Sequence, residues 1–474
     1  MNEDKDIEEN DTTKGSPHPR VSLSPRPPVS ASPRSPVPAT VHLPRNFSTN
    51  VAWTFGSRLL MTVNSVAAGV IVARWLGADG VGALAVINVS VAIAAQVSNL
   101  GLPSANTYFI AQDERRFIVP ATVNSILFSG VIGGLLACLL ALLALREPGF
   151  FGNVPQGLIW IAAVSLPFQL LTVLGLNIFL AVGRISRYNA LEVTGQSFVV
   201  INSVVSLVIL GAGLWLLVSL NTAATIIVSL LILWLIGRHL RQRKIEAPLR
   251  PDFALFRQMM SYGIRFHIAH LAGLLIFRAD LLVVNHFRGS TEAGIYSVAS
   301  QVAMMLMLLP GVIATLLFPR VAAEDSARRD QLTCRASRFT TFLMLIASIA
   351  AVPASFALPL LYGAPFADAT VQFLILLPGV FLVSIESVLV QYFSGTGLPA
   401  AIPLFWLVTL ALNLVLTFTL VPSFGGRGAA VASAISYSLI FALVVVYFRL
   451  KTGNTLTNIL LLRREELRAL QKAA

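Results

Sequence analysis

The residues best suited to chemistry in this chain lie in one stretch, residues 263–287, which reads "GIRFHIAHLAGLLIFRADLLVVNHF". The stretch is long and apolar, yet it contains ionisable side chains at Arg265, His267, His270, Arg278, Asp280 and His286. An ionised side chain at the centre of a bilayer costs about 2.5–3.5 kcal/mol, so such residues face a cavity or a partner. Cationic groups suit an anionic ligand, and we predict that this helix borders a water-filled cavity.

The helical period divides these side chains between two faces. At about 100° per residue, His267, His270 and Arg278 share one face and are predicted to bind the ligand. Arg265 is also a candidate, but it lies with Asp280 on roughly the opposite face, so it needs a bend in the helix or a partner elsewhere. The His-x-x-His pair has no third ligand nearby, and we predict no metal site.

A second candidate group precedes this stretch. Stepping by three or four residues from Asn50 aligns Thr54, Arg58, Thr62 and Ser65 on one helix face. Arg58 lies deep in an apolar run, where it cannot easily extend to the membrane surface. We predict that Arg58 lines the cavity and binds the ligand; bonding to carbonyl groups of neighbouring helices is the alternative.

Three asparagines form a further stripe. Asn88, Asn99 and Asn106 lie within about 20° of one another on a helical wheel. They are predicted to bind a polar ligand, although amides on one face also hold neighbouring membrane helices together. No catalytic residue is predicted, because no Ser/His/Asp arrangement has a supporting spacing and "GGRG" (425–428) lacks the Lys-Ser/Thr of a phosphate-binding loop.

The elements that carry these residues must be membrane helices. Apolar residues make up 56% of the 474 residues, charged residues only 12%, and the mean hydropathy is +0.77. Apolar runs such as "ILFSGVIGGLLACLLALLAL" (126–145) are too long for the strands of a barrel, so the fold class is all-α integral membrane. The formal charge of +12 is explained by Lys and Arg in cytoplasmic loops, and nucleic acid is not an expected partner.

About twelve transmembrane helices are predicted from these runs. Their limits are 50–73, 80–109, 118–145, 157–182, 189–211, 213–236, 258–285, 292–318, 338–361, 368–393, 400–421 and 428–449. Outside the spans, the Lys and Arg residues fall in the tails and the even-to-odd loops, and only four lie on the other side: Arg74, Arg146, Arg288 and Arg427. This asymmetry predicts that both termini are cytoplasmic. Cys138, in a predicted span, and Cys334, in a predicted basic loop, are not expected to pair.

An internal repeat organises the spans. The segment "GADGVGALAV" (77–86) aligns with "GSTEAGIYSV" (289–298), and Leu166-Pro167 aligns with Leu377-Pro378. Each half starts on the same side, which predicts two parallel six-helix repeats around a central cavity. The predicted domains are a disordered Pro/Ser/Arg-rich cytoplasmic tail (1–48), two six-helix bundles (49–245 and 246–450) and a cytoplasmic, partly helical C-terminal tail (451–474).

The half-signatures resemble a known family. "RWLGADGVGALAVINVSVAIAAQVSNLGLPSANTYFIA" and "YGIRFHIAHLAGLLIFRADLLVVNHFRGSTEAGIYSVA" are similar to the bacterial polysaccharide-unit flippases of the multidrug/oligosaccharidyl-lipid/polysaccharide exporter superfamily. The resemblance implies a V-shaped transporter, not an enzyme, that moves undecaprenyl-diphosphate-linked oligosaccharides from the inner to the outer leaflet of the cytoplasmic membrane for O-antigen or exopolysaccharide synthesis. Implied partners are this lipid-linked glycan, membrane lipids, and the polysaccharide polymerase and chain-length machinery.

With this resemblance, the basic residues would attract the diphosphate and the asparagine stripe would bind sugar hydroxyls. No cofactor is expected. Asp280 either pairs with Arg278 or Arg288 or, like Glu386, serves as a site for a coupling proton or sodium ion. A multidrug or small-metabolite exporter of the same superfamily is the alternative function, and a membrane glycosyltransferase or polymerase is disfavoured by the short outer loops.

Overall fold

The computed structural model describes residues 47–245, 248–463 and 466. Within these ranges the side chains of a few residues are outside the description, namely those of 47–52, 148, 265, 266, 316, 318, 319, 322 and 323. The tail predicted to be disordered (1–48) therefore lies almost wholly outside the described residues, as do the end of the C-terminal tail and the side chain of Arg265.

The described residues form α-helices joined by short turns, and this part of the chain contains no strand. In chain order the helices are α1 (Phe47–Asn99), α2 (Leu102–Gln112), α3 (Glu114–Phe128), α4 (Gly134–Arg146), α5 (Gln156–Ala163), α6 (Leu166–Ala181), α7 (Ile185–Ser203), α8 (Gly213–Arg243), α9 (Phe253–Arg288), α10 (Ser290–Met305), α11 (Leu308–Ala323), α12 (Ser326–Ser355), α13 (Leu358–Tyr362), α14 (Ala367–Gly395), α15 (Ala401–Thr452) and α16 (Leu456–Leu460). Short π-helical turns follow α3 and α7.

These helices account for twelve membrane crossings. Nine helical segments of the described chain are long and apolar enough to span, and the pair α10 and α11, bent by 41°, makes a tenth. α1 and α15 have 53 and 52 residues, whereas one crossing needs about 20. Each is broken by a glycine with positive φ, Gly77 (65°) and Gly425 (58°), and so crosses twice. The predicted all-α membrane fold of about twelve spans is confirmed.

The largest difference from the predicted limits is in the ninth span. Its helix, α12, begins at Ser326 rather than at residue 338, because Asp325 caps it by accepting a hydrogen bond from the backbone nitrogen of Arg328 at 2.9 Å. Cys334, predicted in a loop, is therefore buried in a helix; it is a free cysteine, as is Cys138. Asp113 caps α3 in the same way, at 3.2 Å from the nitrogen of Arg116, so the two repeats start equivalent helices with equivalent caps.

Glycines allow the two repeats to touch at both ends of the bundle. At the end that holds the kinks, a Cβ on Gly82 would lie 1.7 Å from the carbonyl oxygen of Ser290, and one on Gly294 would lie 2.0 Å from that of Ala78. Ser290 also donates a hydrogen bond to Asp79. No side chain larger than hydrogen fits at Gly82 or Gly294 without moving the helices. We call this end the kink end.

A second glycine pair closes the other end, where α1 and α9 begin and α15 ends; we call it the terminal end. A Cβ on Gly101 would lie 2.1 Å from the carbonyl oxygen of Gly263, and one on Gly263 would lie 2.5 Å from that of Gly101. Gly101 has a φ of 77° and separates α1 from α2. The second span therefore consists of two helices whose side chains face different directions, and it is not one continuous helix.

Candidate functional site

A cavity of about 690 Å³ lies between the repeats and is lined by residues of α1, α7, α8, α9, α10 and α11. The first repeat contributes Arg58, Ser65 and Asn88, and the second contributes Arg278 and Gln301. We call this space the central cavity. Its size is that of a ligand site, and its wall is part apolar and part polar.

Two arginines enter this cavity from opposite repeats. Arg58 is 41% exposed, and its Nη2 lies 3.1 Å from Oε2 of Glu192 on α7. Tyr188 donates a second hydrogen bond to Glu192, at 3.1 Å. Arg278 is exposed and forms no ion pair with any residue that the structure describes. Because only one of these two arginines has a carboxylate partner, the cavity keeps a positive charge that can attract an anion.

Asp280 lies in the wall of the same cavity but is 3% exposed. Its Oδ2 accepts hydrogen bonds from the hydroxyl of Tyr296 and, at 2.8 Å, from that of Ser433, and its Oδ1 accepts one from the backbone nitrogen of Leu281. The ion pairs considered from the sequence do not form, because hydroxyl groups on α10 and α15 occupy this carboxylate. Arg288 pairs instead with Glu292, at 3.7 Å.

The two candidate histidines lie away from the central cavity. His267 is 5% exposed, and no described group bonds its Nδ1; His270 is exposed. Both follow Gly263 closely, where α9 touches Gly101, whereas the cavity meets α9 at Phe277–Leu281, about 15 Å further along at 1.5 Å per residue. Of the predicted face of α9, only Arg278 therefore reaches the cavity.

The asparagine stripe is divided. Asn88 lines the cavity and forms no hydrogen bond to another described residue. Asn99 accepts a hydrogen bond from the backbone nitrogen of Gly101 at 2.9 Å, and the buried Asn106 donates to Ser125 at 3.1 Å and to the carbonyl of Leu174 at 3.3 Å. Asn106 therefore fits the alternative interpretation of the stripe, in which the amides form hydrogen bonds between helices. The break at Gly101 is the reason, since it changes the facing of every later residue.

Glu386 is buried in α14 and does not line the central cavity. Its Oε1 has no hydrogen-bond partner among the described residues. Clusters of three or more His, Cys, Asp or Glu able to hold a metal are likewise absent from the described part of the chain.

Two residues that act on the cavity were not predicted as site residues: Gln301, which lines it, and Glu192, which contacts a residue that lines it. Glu192 neutralises part of the charge of Arg58, and Gln301 donates a hydrogen bond to Ser65 at 2.7 Å, which links α10 to α1 across the cavity. Gln301 follows Ser297 at helical spacing on α10, and this spacing was the available signal.

Comparisons with known proteins agree with this architecture. The family model described as "Polysaccharide biosynthesis protein" matches residues 45–323. A probable low-salt glycan biosynthesis flippase, Agl15 of Haloferax volcanii, is 26% identical over 239 residues, which are 48% of this chain and 50% of that protein. The chain thus spans about half the length of this curated relative, which is archaeal.

Solved structures share the fold. The lipid II flippase MurJ in an inward closed conformation has a TM-score of 0.70 at 14% identity, covering 87% of this chain and 89% of its own. An inward-facing multidrug resistance MATE family transporter of the MOP superfamily has a TM-score of 0.68 at 13% identity, covering 83% and 94%. With the family model matching more than half of its residues, the chain belongs to the polysaccharide biosynthesis protein family.

Proposed function

We propose that this protein is a flippase that moves an undecaprenyl-diphosphate-linked oligosaccharide across the membrane by alternating access between its two repeats. The observation that carries the proposal is that Arg58 and Arg278, from opposite repeats, line one cavity of about 690 Å³. The family and the flippase relative support it. The protein is then a transporter and not an enzyme.

The diphosphate binds between the two guanidinium groups. Arginine donates paired hydrogen bonds that match phosphate oxygens, and a low-dielectric cavity strengthens them. The polyprenyl chain stays in lipid between the repeats. His270, exposed near the terminal end, would hydrogen-bond the headgroup on its route from that end to the cavity, and His267 and Arg265 of the same helix are further candidates from the sequence.

The two glycine contacts are the gates. Opening at Gly101 and Gly263 admits the headgroup from the terminal end, and opening at Gly82 and Gly294 releases it at the kink end. Tight helix contacts of this kind have two discrete arrangements, closed or separated, as alternating access requires.

The direction of transport follows from charge. We place both termini in the cytoplasm and the protein in the bacterial cytoplasmic (inner) membrane, because Lys and Arg concentrate on the side of the termini. An inside-negative potential then favours outward movement of the diphosphate by about 2.3 kcal/mol per charge per 100 mV. A proton or sodium ion carried by Asp280 or Glu386 would add to this driving force. On the outer side, a polysaccharide polymerase and its chain-length machinery would receive the product.

A deletion strain tests the function. Loss of the protein is expected to stop surface polysaccharide and to leave complete lipid-linked units with their sugars on the cytoplasmic side. Plasmids carrying Arg58→Ala or Arg278→Ala should fail to restore export at normal protein levels. Arg184→Ala, which changes an exposed arginine outside the cavity, should restore it. Normal polysaccharide with altered drug tolerance in the deletion strain would favour the exporter alternative and overturn the proposal.

A further inference from the structure

The first repeat contains a second pocket of about 370 Å³, enclosed by α1, α5, α6, α7 and α8. It shares four wall residues with the central cavity: Leu84, Asn88, Val199 and Asn221. The second pocket is therefore adjacent to the central cavity, and these side chains form a wall common to both. We call it the side pocket.

The polar groups of the side pocket are all uncharged. Those that line it include Asn88, Ser165, Gln169, Thr172, Asn221 and Thr225. None of the described lining residues is Asp, Glu, Lys, Arg or His. Amide and hydroxyl groups both donate and accept hydrogen bonds, which matches sugar hydroxyls. A phosphate or an ammonium group would be left without a counter-charge there.

Two of these groups lack a partner within the protein. The buried Oγ1 of Thr172 has no hydrogen-bond partner in the described structure, and the Asn88 side chain likewise bonds to no described residue. Asn88 is exposed in the shared wall, so its unbonded amide can donate hydrogen bonds to a ligand and accept them from one.

The equivalent region of the second repeat is filled. The alignment of Leu166-Pro167 with Leu377-Pro378 places Gln169 on Val380 and Thr172 on Val383. Both valines are buried in the hydrophobic core of the second repeat. The polar groups at Gln169 and Thr172 are thus specific to the first repeat and do not follow from the shared fold.

A glycine keeps the side pocket open. The same alignment places Gly195, in the pocket wall, on Trp406. Trp406 packs against Phe277, with ring centroids 6.2 Å apart. A Cβ on Gly195 would meet nothing within 4 Å, so the first repeat has open space at the position where the second repeat places an indole.

We infer that the side pocket binds an uncharged sugar of the lipid-linked glycan while Arg58 and Arg278 hold its diphosphate. This inference rests on the proposed function and narrows the substrate class: the sugar that enters carries no carboxylate or amine. The shared wall at Asn88 and Asn221 lets one headgroup occupy both spaces. Several hydrogen bonds to the sugar add affinity that the bare diphosphate lacks.

Three probes with the same polyprenyl diphosphate test the inference on the full chain in lipid nanodiscs: the bare diphosphate, its glucose conjugate and its glucuronic acid conjugate. The glucose probe should bind at least about tenfold more tightly than the bare probe, from a few net hydrogen bonds. The glucuronic acid probe should bind no more tightly than the bare probe. Gly195→Leu fills the pocket and should reduce the glucose probe to the affinity of the bare probe.

Two further variants complete the design. Gly130→Leu places the same side chain in open space outside the pocket and should keep the tenfold gain. Asn88→Leu keeps the approximate size, removes the unbonded amide of the shared wall, and should lower the gain even if Gly195→Leu does not fold. The inference would be overturned if the glucose probe bound no more tightly than the bare probe, or if the glucuronic acid probe gained as much affinity as the glucose probe. It would also be overturned if the gain in affinity survived in both pocket variants. Each of these results would leave the proposed flippase function unaffected. Failure of the bare probe to bind would overturn both.

Discussion

Arg58, in the wall of the central cavity, forms an ion pair with Glu192 of α7, with Nη2 and Oε2 3.1 Å apart. Arg278, on the opposite repeat, has no such partner among the described residues. An anionic ligand can therefore bind Arg278 directly but must compete with Glu192 for Arg58. This competition makes release of the ligand easier than it would be from two free arginines.

Removing the competitor should strengthen binding. Glu192→Gln keeps the shape of the side chain and removes its charge, so we expect the affinity for bare polyprenyl diphosphate to rise by about three- to tenfold. Titration of the purified protein in nanodiscs measures this. Glu147→Gln makes the same charge change at an exposed position outside the cavity and should have little effect. Weaker binding by Glu192→Gln would contradict the competition.

A side chain at the kink-end contact should hold that gate apart. A Cβ on Gly82 would overlap the carbonyl of Ser290, so Gly82→Ala is expected to expose the cavity at the kink end and to slow transport. Ser65→Cys in a Cys138→Ser background reports this exposure, because Cys334 is buried. A membrane-impermeant thiol reagent added outside cells should label Ser65→Cys faster with Gly82→Ala than with Gly130→Ala. Equal labelling would show that this contact is not a gate.

The C-terminal segment is attached through Arg338 on α12. Its Nε lies 2.9 Å from Glu466, its Nη1 donates to the carbonyl of Asn458 at 2.6 Å, and the guanidinium is buried. Glu466→Gln leaves a buried cation without its carboxylate and should lower the free energy of unfolding by about 1–3 kcal/mol. Thermal unfolding in detergent measures the loss. Glu324→Gln, which affects the pair between a half-buried Glu324 and the exposed Arg328, should cost less than about 1 kcal/mol.

The same pair should be sensitive to acid. The hydrogen bond from Arg338 lowers the pKa of Glu466 below its ordinary value of 4.5. A lowered pKa contributes stability that is complete above the unfolded value and is lost as the pH falls through the folded value. The unfolding temperature of the wild type should therefore approach that of Glu466→Gln as the pH falls below about 4.5. A constant difference at every pH would exclude this ionisation.

The sequence was sufficient to predict the helices and the position of two arginines in the cavity wall. Apolar run length predicted twelve spans, and the positions of Arg58 and Arg278 in apolar helices predicted that both face a cavity, where the structure places them. Both predictions depend on local physics, the hydrocarbon thickness and the cost of a charge, which act on each helix separately.

Predictions that required neighbouring helices were less successful. The asparagine stripe assumed one continuous helix, but the break at Gly101 turned Asn106 toward α3 and α6. The partners of Asp280 are hydroxyls on α10 and α15, and no helical wheel identifies side chains on another helix. The two valines that fill the second repeat's counterpart of the side pocket are likewise a result of packing between helices.

Movement of a lipid-linked sugar in proteoliposomes tests the central claim most directly. Vesicles containing the purified protein and a polyprenyl-diphosphate probe with a fluorescent sugar are treated with an impermeant quencher, which reaches only the outer leaflet. With the wild type, and with Arg184→Ala, nearly all of the fluorescence should be lost because the inner-leaflet probe is moved outward, faster under an inside-negative potential. With Arg58→Ala and Arg278→Ala combined, about half should stay protected, as in protein-free vesicles. The account would be contradicted if the double variant lost as much fluorescence as the wild type. It would also be contradicted if vesicles with the wild type kept about half of their fluorescence, as protein-free vesicles do.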